Sequence, residues 1–343
     1  GMLRDVPCDL DRLERRGMAV TVLPRFVRKG GGAGDFDVSA DGTLAYVDAP
    51  DFAAQMTTRV WVDRQGREDS LGAATSSYVH PRLSPDGTRV AVVAAGGILV
   101  WDLERKAPSQ ATLDTAGSHS PLWSHDGRYL FFFGATRNAG LFRQAADGTS
   151  AAERLGAGLP TGTTPDGTHL FLSSVPGSLD QMLMTLATRK VDPLIQTPST
   201  ERNGVVSSDG RWLAYESDSS GNGNFEIYVR PFPIGQRAPS KVSIAGGTRP
   251  LWAPKSEELF FVARDGAIMA VPVGTRGSAW GSPSKAVEPR YVTQGPASAR
   301  TYDISPDGKR FLMVKPLGGE EAVRQIVIVQ HWFEELRRLA PLD

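Results

Sequence analysis

His80-Pro81-Arg82-Leu83-Ser84-Pro85-Asp86-Gly87, continued by Thr88 and the apolar run Arg89 to Ala94 (RVAVVA), reads as a short strand, a tight turn and a second strand. Glycine supplies the positive φ that such a turn requires, and the aspartate bonds to nearby backbone amides. Gly96-Gly97 then turns the chain into Ile98 to Asp102 (ILVWD), and a more polar stretch through Leu113 follows. Four strands of falling apolarity describe a wedge whose inner strands are covered on both faces and whose outermost strand meets water.

The same unit recurs along the chain. Its turns are Ser39-Ala40-Asp41-Gly42, Ser84 to Gly87, Ser124-His125-Asp126-Gly127, Thr164-Pro165-Asp166-Gly167, Ser207-Ser208-Asp209-Gly210, a worn copy Ala253-Pro254-Lys255-Ser256, and Ser305-Pro306-Asp307-Gly308. A period of roughly 40–45 residues with several short strands per copy is the signature of β-propeller blades. The expected architecture is all-β: a single closed propeller of four-stranded blades spanning residues 1–343, seven-bladed from the seven turns, with six or eight blades as alternatives. Second strands recur as LAYV (44–47), YLFFF (129–133), HLFL (169–172), WLAYE (212–216), ELFFV (258–262) and RFLMV (310–314). Third strands recur as RVWVD (59–63), GLFRQ (140–144), QMLMTL (181–186), FEIYVR (225–230), AIMAVPV (267–273) and QIVIVQ (325–330).

Met2 to Phe26 resembles the outer half of a blade, and Tyr302 to Val329 the inner half of one. Residues 2–26 are therefore expected to close the ring with residues 301–330, which would remove exposed sheet edges. Residues 2–8 and 325–330 both look like third strands, so that slot stays open. Trp123 and Trp252 occupy equivalent places in their repeats and are expected to pack blade against blade. His331 to Ala340 (HWFEELRRLA) has helical spacing, with Phe333, Leu336 and Leu339 on one side and Glu334 able to pair with Arg338.

Composition bounds the function. Lys plus Arg equals Asp plus Glu, 38 each, so no basic excess exists to neutralise phosphates and nucleic acid is not an expected partner. The single cysteine, Cys8, excludes an internal disulfide framework. No stretch approaches the roughly 18 apolar residues of a membrane span. Gly1 reads as a tag remnant. With Met2 as the start, a cytoplasmic protein is expected, and a monomer.

The copies SSDGRWLAYESD (207–218) and SPDGKRFLMVKP (305–316) resemble TolB-like, WD40-like propeller repeats of bacteria. GMAVTVLPRF (17–26), RVWVDRQGRE (59–68), EIYVRPFP (226–233), IMAVPV (268–273) and QIVIVQHWFEELRRL (325–339) resemble propeller regions attached to bacterial serine/threonine protein kinases. The resemblance covers essentially the whole chain and implies a propeller fold. It also implies a sensor or interaction module that lies outside the membrane when carried by a longer, membrane-anchored kinase-like protein. No kinase motif accompanies it. Asp35-Phe36-Asp37 is a near miss for the magnesium-binding Asp-Phe-Gly, and Gly30 to Gly34 lacks the helix a phosphate cradle needs. Fold alone is carried over.

Chemistry-bearing patterns are sparse. Asp37-x-Ser39-x-Asp41-Gly42, with Asp48 twelfth, imitates calcium-loop spacing, as does Asp303-x-Ser305-x-Asp307-Gly308, but the twelfth residue should be glutamate and the turn explains both. His80, His119, His125, His169 and His331 show no zinc spacing. No Gly-x-Ser-x-Gly nucleophile turn occurs, and Gly117-Ser118-His119-Ser120 is mere adjacency. No metal or cofactor is expected.

Position is more informative than motif. Six residues before each turn aspartate, the start of the inner strand is expected to face the channel mouth opposite the Asp-Gly turns. That ring reads Asp35, His80, Ser120, Pro160, Asn203, Arg249 and Thr301, with His119, Arg202 and Arg300 beside it. Converging polar side chains at a concave mouth suit a binding site for a protein, peptide or small ligand. The alternative is a propeller-type enzyme, a lactonase, lyase or glycan-acting protein, using Asp35 and His80 in the channel.

Overall fold

The computed structural model describes residues 3–6, 8–9, 12, 14–15, 19–23, 26, 36–47, 56–72, 75–94, 97–113, 117–135, 138–174, 180–221, 224–274, 280–293, 299–317 and 326–339. Two compact units emerge: Met56–Leu317, and Gly1–Gln55 together with Gly318–Asp343.

The larger unit consists of six four-stranded antiparallel sheets. Blade one runs Val79–Leu83, Arg89–Ala94, Gly97–Asp102 and Ala107–Leu113 from the inside outward, and blades two to five repeat this order over residues 119–156, 159–195, 201–241 and 248–287. Blade six is assembled from both ends of the unit. Asp303–Ile304 and Arg310–Pro316 supply its inner strands, and Thr57–Asp63 and Glu68–Ser70 its outer ones. Arg310 lies opposite Asp63 and Pro316 opposite Thr57, an unbroken ladder of seven pairs.

Six core clusters close the ring. One joins Ala91, Ile98 and Val100 of blade one to Trp123, Leu130 and Phe132 of blade two. Equivalent clusters join blades two and three, three and four, four and five, and five and six. The last packs Trp61, Leu312 and Val314 of blade six on Val90, Val92 and Trp101 of blade one. Burial of both faces of each sheet explains why second strands are continuous apolar runs. Phe131, Phe132, Phe171, Phe260, Phe261 and Phe311 are all fully buried.

The turns that begin at Ser84, Ser124, Thr164, Ser207 and Ser305 share one wiring. In the first, the Ser84 hydroxyl donates to Asp86 Oδ1 at 2.5 Å, Asp86 Oδ1 accepts Thr88 N–H at 3.0 Å, and Ser84 Oγ accepts Arg89 N–H at 2.9 Å. Gly87 closes the turn onto the Ser84 carbonyl with φ of 71°. A Cβ on Gly87 would lie 2.7 Å from Pro306 Cγ on blade six, so glycine is required by space as well as by φ. In the worn copy Ser256 takes the glycine position at φ 58°, and its hydroxyl is tied to that of Ser208 at 2.7 Å.

The structure corrects the expected closure. The partner of Arg310–Pro316 is Thr57–Asp63, not a strand from residues 2–26; Leu3–Asp5 pairs instead with Val20–Leu23. The third strands of the first and last repeats are exchanged: Ile326–Val329 pairs with Leu44–Val47, while RVWVD serves the last repeat. Both segments alternate in the same way, and a two-residue period fixes which face a strand buries without naming its neighbour.

The seventh turn, Ser39 to Gly42, joins Phe36–Val38 to Leu44–Val47 in the smaller unit, in a three-stranded sheet completed by Ile326–Val329. Among the described residues six four-stranded blades make up the larger unit, the smaller of the two alternatives to the expected seven. The helix Trp332–Leu339 is present, and Trp332 is buried with Val22 and Leu44. Trp332 N–H donates to the Gly42 carbonyl at 2.7 Å. Leu336 and Leu339 pack on this cluster as expected, but Phe333 is largely exposed beside Gly42. The helix ion pair is Glu335–Arg338, at 2.8 and 2.5 Å, rather than the expected Glu334–Arg338. Among the described residues no helix is long and apolar enough to cross a membrane.

Candidate functional site

Inner strands of the ring start with a bulge. The register slips in blades one to five near the second strand residue. At that point His80, Ser120, Asn203 and Arg249 adopt left-handed φ of 53°, 59°, 55° and 57°. Non-glycine residues in this region are uncommon and persist only where surrounding structure holds them. The effect is to turn each peptide toward the neighbouring blade.

Inter-blade hydrogen bonds follow. Trp123 Nε1 donates to the Arg82 carbonyl at 2.9 Å and Trp252 Nε1 to the Val205 carbonyl at 3.0 Å, so both tryptophans join blades as expected. Thr161 Oγ1 donates to the Gly204 carbonyl, Tyr302 OH to the Arg249 carbonyl, and Leu83 N–H to Asp303 Oδ2, at 2.8, 3.0 and 2.8 Å.

The expected ring residues come together, but as a buried floor rather than a solvent-lined mouth. His80, Ser120, Asn203, Arg249 and Thr301 are 2%, 3%, 7%, 9% and 1% exposed, and Pro160 is buried too. Asp35, the partner expected for His80 in an enzymatic reading, lies outside the described residues. His119 stands beside His80 with ring centroids 6.5 Å apart, and its Nδ1 lies 2.9 Å from Ser120 Oγ. Glu216 is wholly buried and accepts three hydrogen bonds, from Arg202 Nε at 2.7 Å, Asn203 Nδ2 at 2.6 Å and Arg249 N–H at 2.5 Å. Arg202 also stacks on Phe225, 3.8 Å from the ring centre. Arg249 Nε donates to the Ala299 carbonyl at 3.0 Å. Arg300 Nη2 pairs with Asp303 at 3.3 Å.

Electrostatics mark this floor as cation-rich. Burial, reinforced by Arg82, His119 and Arg249, holds the His80 pKa well below its ordinary value. Burial also lowers His119. The Arg82 guanidinium is depressed by burial and then by Arg300, against the opposing pull of Asp303. Burial pushes the Tyr302 hydroxyl up. Imidazole protonation is therefore disfavoured where several guanidiniums already converge.

Residues beyond the predicted ring complete the floor. Arg82 lies two positions after His80 on the same strand, and Glu216 sits inside the apolar second strand WLAYES. A carboxylate within such a run is the sequence signal that points to it, because a charge there must find partners. Tyr302 and Asp303 directly follow the expected Thr301.

At the turn end of the inner strands lies a cavity of about 290 Å³. Its wall includes Leu122, Val205, Leu251 and Trp252, with Thr161, Thr163 and Arg300. Turn residues His125, Pro165, Ser208 and Pro254 also line it, so this cavity sits on the side of the Asp-Gly turns. Arg300 belongs to both cavity and floor. Among the described residues no cluster of three or more His, Cys, Asp or Glu could hold a metal ion.

No protein-family model and no curated protein matches the chain. Solved structures do. A protein assigned as TolB from Agrobacterium tumefaciens superposes with a TM-score of 0.64 at 16% identity, covering 78% of this chain and 100% of its own. TolB from Acinetobacter baumannii gives 0.53 at 16% identity, covering 74% and 82%. Hydrazine synthase from Kuenenia stuttgartiensis gives 0.50 at 14% identity, covering 86% and 94%. At these identities the likeness concerns fold, and none of the three is a kinase-associated propeller. The chain has a β-propeller fold similar to that of these TolB structures.

Proposed function

We propose that this protein is a non-enzymatic binding module whose propeller channel receives a short segment of a partner protein or a peptide. The observation that carries the reading is the cavity at the turn end of the channel. Leu122, Val205, Leu251 and Trp252 give it apolar wall, and Thr161, Thr163 and Arg300 give it a few polar groups. That mixture is the usual make-up of a recognition pocket. Its volume, about 290 Å³, falls at the small end of the ~300–1,000 Å³ typical of ligand sites. It suits one or two side chains rather than a large cofactor. The TolB-like fold supports an interaction role.

The test is display of random peptides on the full-length protein, with Thr163→Trp as the cavity-filling comparison and thermal melting as the check on folding. Peptides enriched on the wild type and lost on a folded Thr163→Trp protein support the reading. Enrichment indifferent to the substitution, or none at all, removes it.

A further inference from the structure

We infer that the seam between blades six and one holds a buried chloride site, the ion bound by the guanidinium of Arg59 and the indole N–H of Trp101. Neither residue lines the channel cavity, so the site is independent of the peptide reading.

The repeat itself shows what this position demands. Arg59, on the third strand of blade six, lies opposite Val314. The same register puts Ile98, Leu141, Gln181, Ile227 and Ile268 opposite Val93, Phe133, Ser173, Glu216 and Val262 in the other blades. All six third-strand residues are wholly buried. Four are aliphatic, and Gln181 has its amide satisfied. Its Nε2 donates to Ser173 Oγ at 3.0 Å and to the Glu201 carbonyl at 3.1 Å, and its Oε1 accepts Gly204 N–H at 2.7 Å. Of the six, Arg59 alone is charged. Its guanidinium carbon lies 4.5 Å from the centre of the Tyr78 ring and 4.4 Å from that of Trp101, and cation–π attraction offsets part of the cost of burial. Hydrogen bonds are not supplied. Among the described residues Nε, Nη1 and Nη2 of Arg59 have no partner, and neither has Trp101 Nε1. Buried charges and polar nitrogens in this state are costly, and folded proteins retain few of them without a reason.

A small anion of single charge answers both deficits at once, through charge-assisted hydrogen bonds from guanidinium and indole. The surroundings are apolar, since Tyr78 and Trp101 belong to one core cluster with Leu71, Val90, Val92, Leu312 and Val314. A divalent anion would carry an unbalanced charge into that cluster. A halide accepts donors from any direction, so the guanidinium and indole edges can share it without being coplanar. None of these nitrogens meets solvent in the closed ring. Entry of the ion therefore requires the connection between the two blades to lift. Leu71 N–H holds it to the Arg59 carbonyl at 3.3 Å, and Tyr78 N–H holds it to Thr57 Oγ1 at 2.8 Å.

The experiment is thermal melting of the full-length protein in sodium chloride, gluconate, formate and sulfate at equal ionic strength. Chloride is expected to raise the melting temperature saturably above its value in the other three salts. Arg59→Met is expected to lose that response and, with the unpaired charge gone, to melt no lower than the wild type in gluconate. Trp101→Phe, which tests the site should Arg59→Met fail to fold, is expected to need at least about tenfold more chloride for the half-maximal shift, the loss of one hydrogen bond to a charged group. Crystals grown in bromide are expected to show an anomalous peak within hydrogen-bonding reach of Arg59 and Trp101 Nε1. Equal melting in chloride and gluconate, or a chloride response unchanged in both variants, would overturn the proposal. A formate response as strong as that of chloride would overturn the halide assignment. Bromide peaks only at other places would overturn the location.

Discussion

Glu216, on the second strand of blade four, accepts the backbone N–H of Arg249, on the inner strand of blade five, at 2.5 Å. The bond exists because Arg249 sits in the left-handed region at φ 57°, which turns its amide away from its own sheet. With Arg202 and Asn203 on the same carboxylate, Glu216 ties blade four to blade five at the centre of the ring. Glu216→Ala would leave a guanidinium and two further donors buried without their acceptor. A loss of about 3–5 kcal/mol is expected in urea unfolding. A loss below about 1 kcal/mol would show that water replaces the carboxylate.

The indole of Trp252 performs the equivalent task farther along the same interface, through its 3.0 Å bond to the Val205 carbonyl. Trp252→Phe keeps most of the apolar contact and removes the donor. A destabilisation of about 1–3 kcal/mol is expected from the orphaned carbonyl and the smaller ring. Because Trp123 bonds the Arg82 carbonyl between blades one and two, Trp123→Phe in the same protein should add to the effect within about 0.5 kcal/mol. Strong non-additivity in the unfolding free energies would contradict independent interfaces.

All strands of the six-bladed ring lie within residues 56–317, including the strand that closes it. A protein of residues 56–317 is therefore expected to melt as one cooperative unit with a β-type circular dichroism spectrum. Removing residues 56–70 as well takes away the seven-pair ladder on Arg310–Pro316 and the Val60, Trp61 and Val62 contacts of two core clusters. That shorter chain should lose its sharp transition or aggregate through the exposed edge. A sharp transition in its absence would mean that Thr57–Asp63 is dispensable.

Acid sensitivity should begin at the floor. His80 is neutral in the fold because burial, Arg82, His119 and Arg249 all disfavour its proton, whereas the unfolded chain takes one up below the ordinary value of 6.5. The unfolded state then binds more protons, so stability falls as pH drops below about 6.5. His119 contributes in the same sense. Replacing His80 by Asn should flatten the dependence of melting temperature on pH between about 6.5 and 5. An unchanged slope would show that His80 takes up its proton in the folded protein as readily as in the unfolded chain.

A second, lower window belongs to the turns. Asp166 is pulled from 3.8 to about 2 by the Thr164 hydroxyl, then by the backbone N–H and hydroxyl of Thr168. Asp126 and Asp307 are lowered in the same way, led by Ser124 and Ser305. A depressed folded value gives a contribution present above about pH 4 and lost as pH falls toward 2. Asp166→Asn should shrink the acid-induced drop in melting temperature within that window. Carbon-detected titration of Asp166 should place its midpoint below that of an unstructured aspartate.

By itself the sequence determined the unit of construction. Ser84, Asp86 and Gly87 bond to one another within a few residues, so the turn forms wherever its letters occur, and the runs on either side are continuous because both faces are covered. Trp123 and Trp252 were legible as blade contacts for the same reason, since equivalent places in a repeat meet equivalent neighbours. The start of each inner strand was also legible as a position where polar groups gather. Tertiary structure decided what those local rules leave open. RVWVD and QIVIVQ carry interchangeable patterns, so only packing of the whole ring chose Thr57–Asp63 to complete blade six and gave Ile326–Val329 to the sheet of the seventh turn. It likewise decided that His80, Asn203 and Arg249 are buried, and that Arg82 and Glu216 join them: a strand's residues show which way they alternate, but the depth at which they end up depends on how many wedges close the circle and how tightly those wedges meet at its centre.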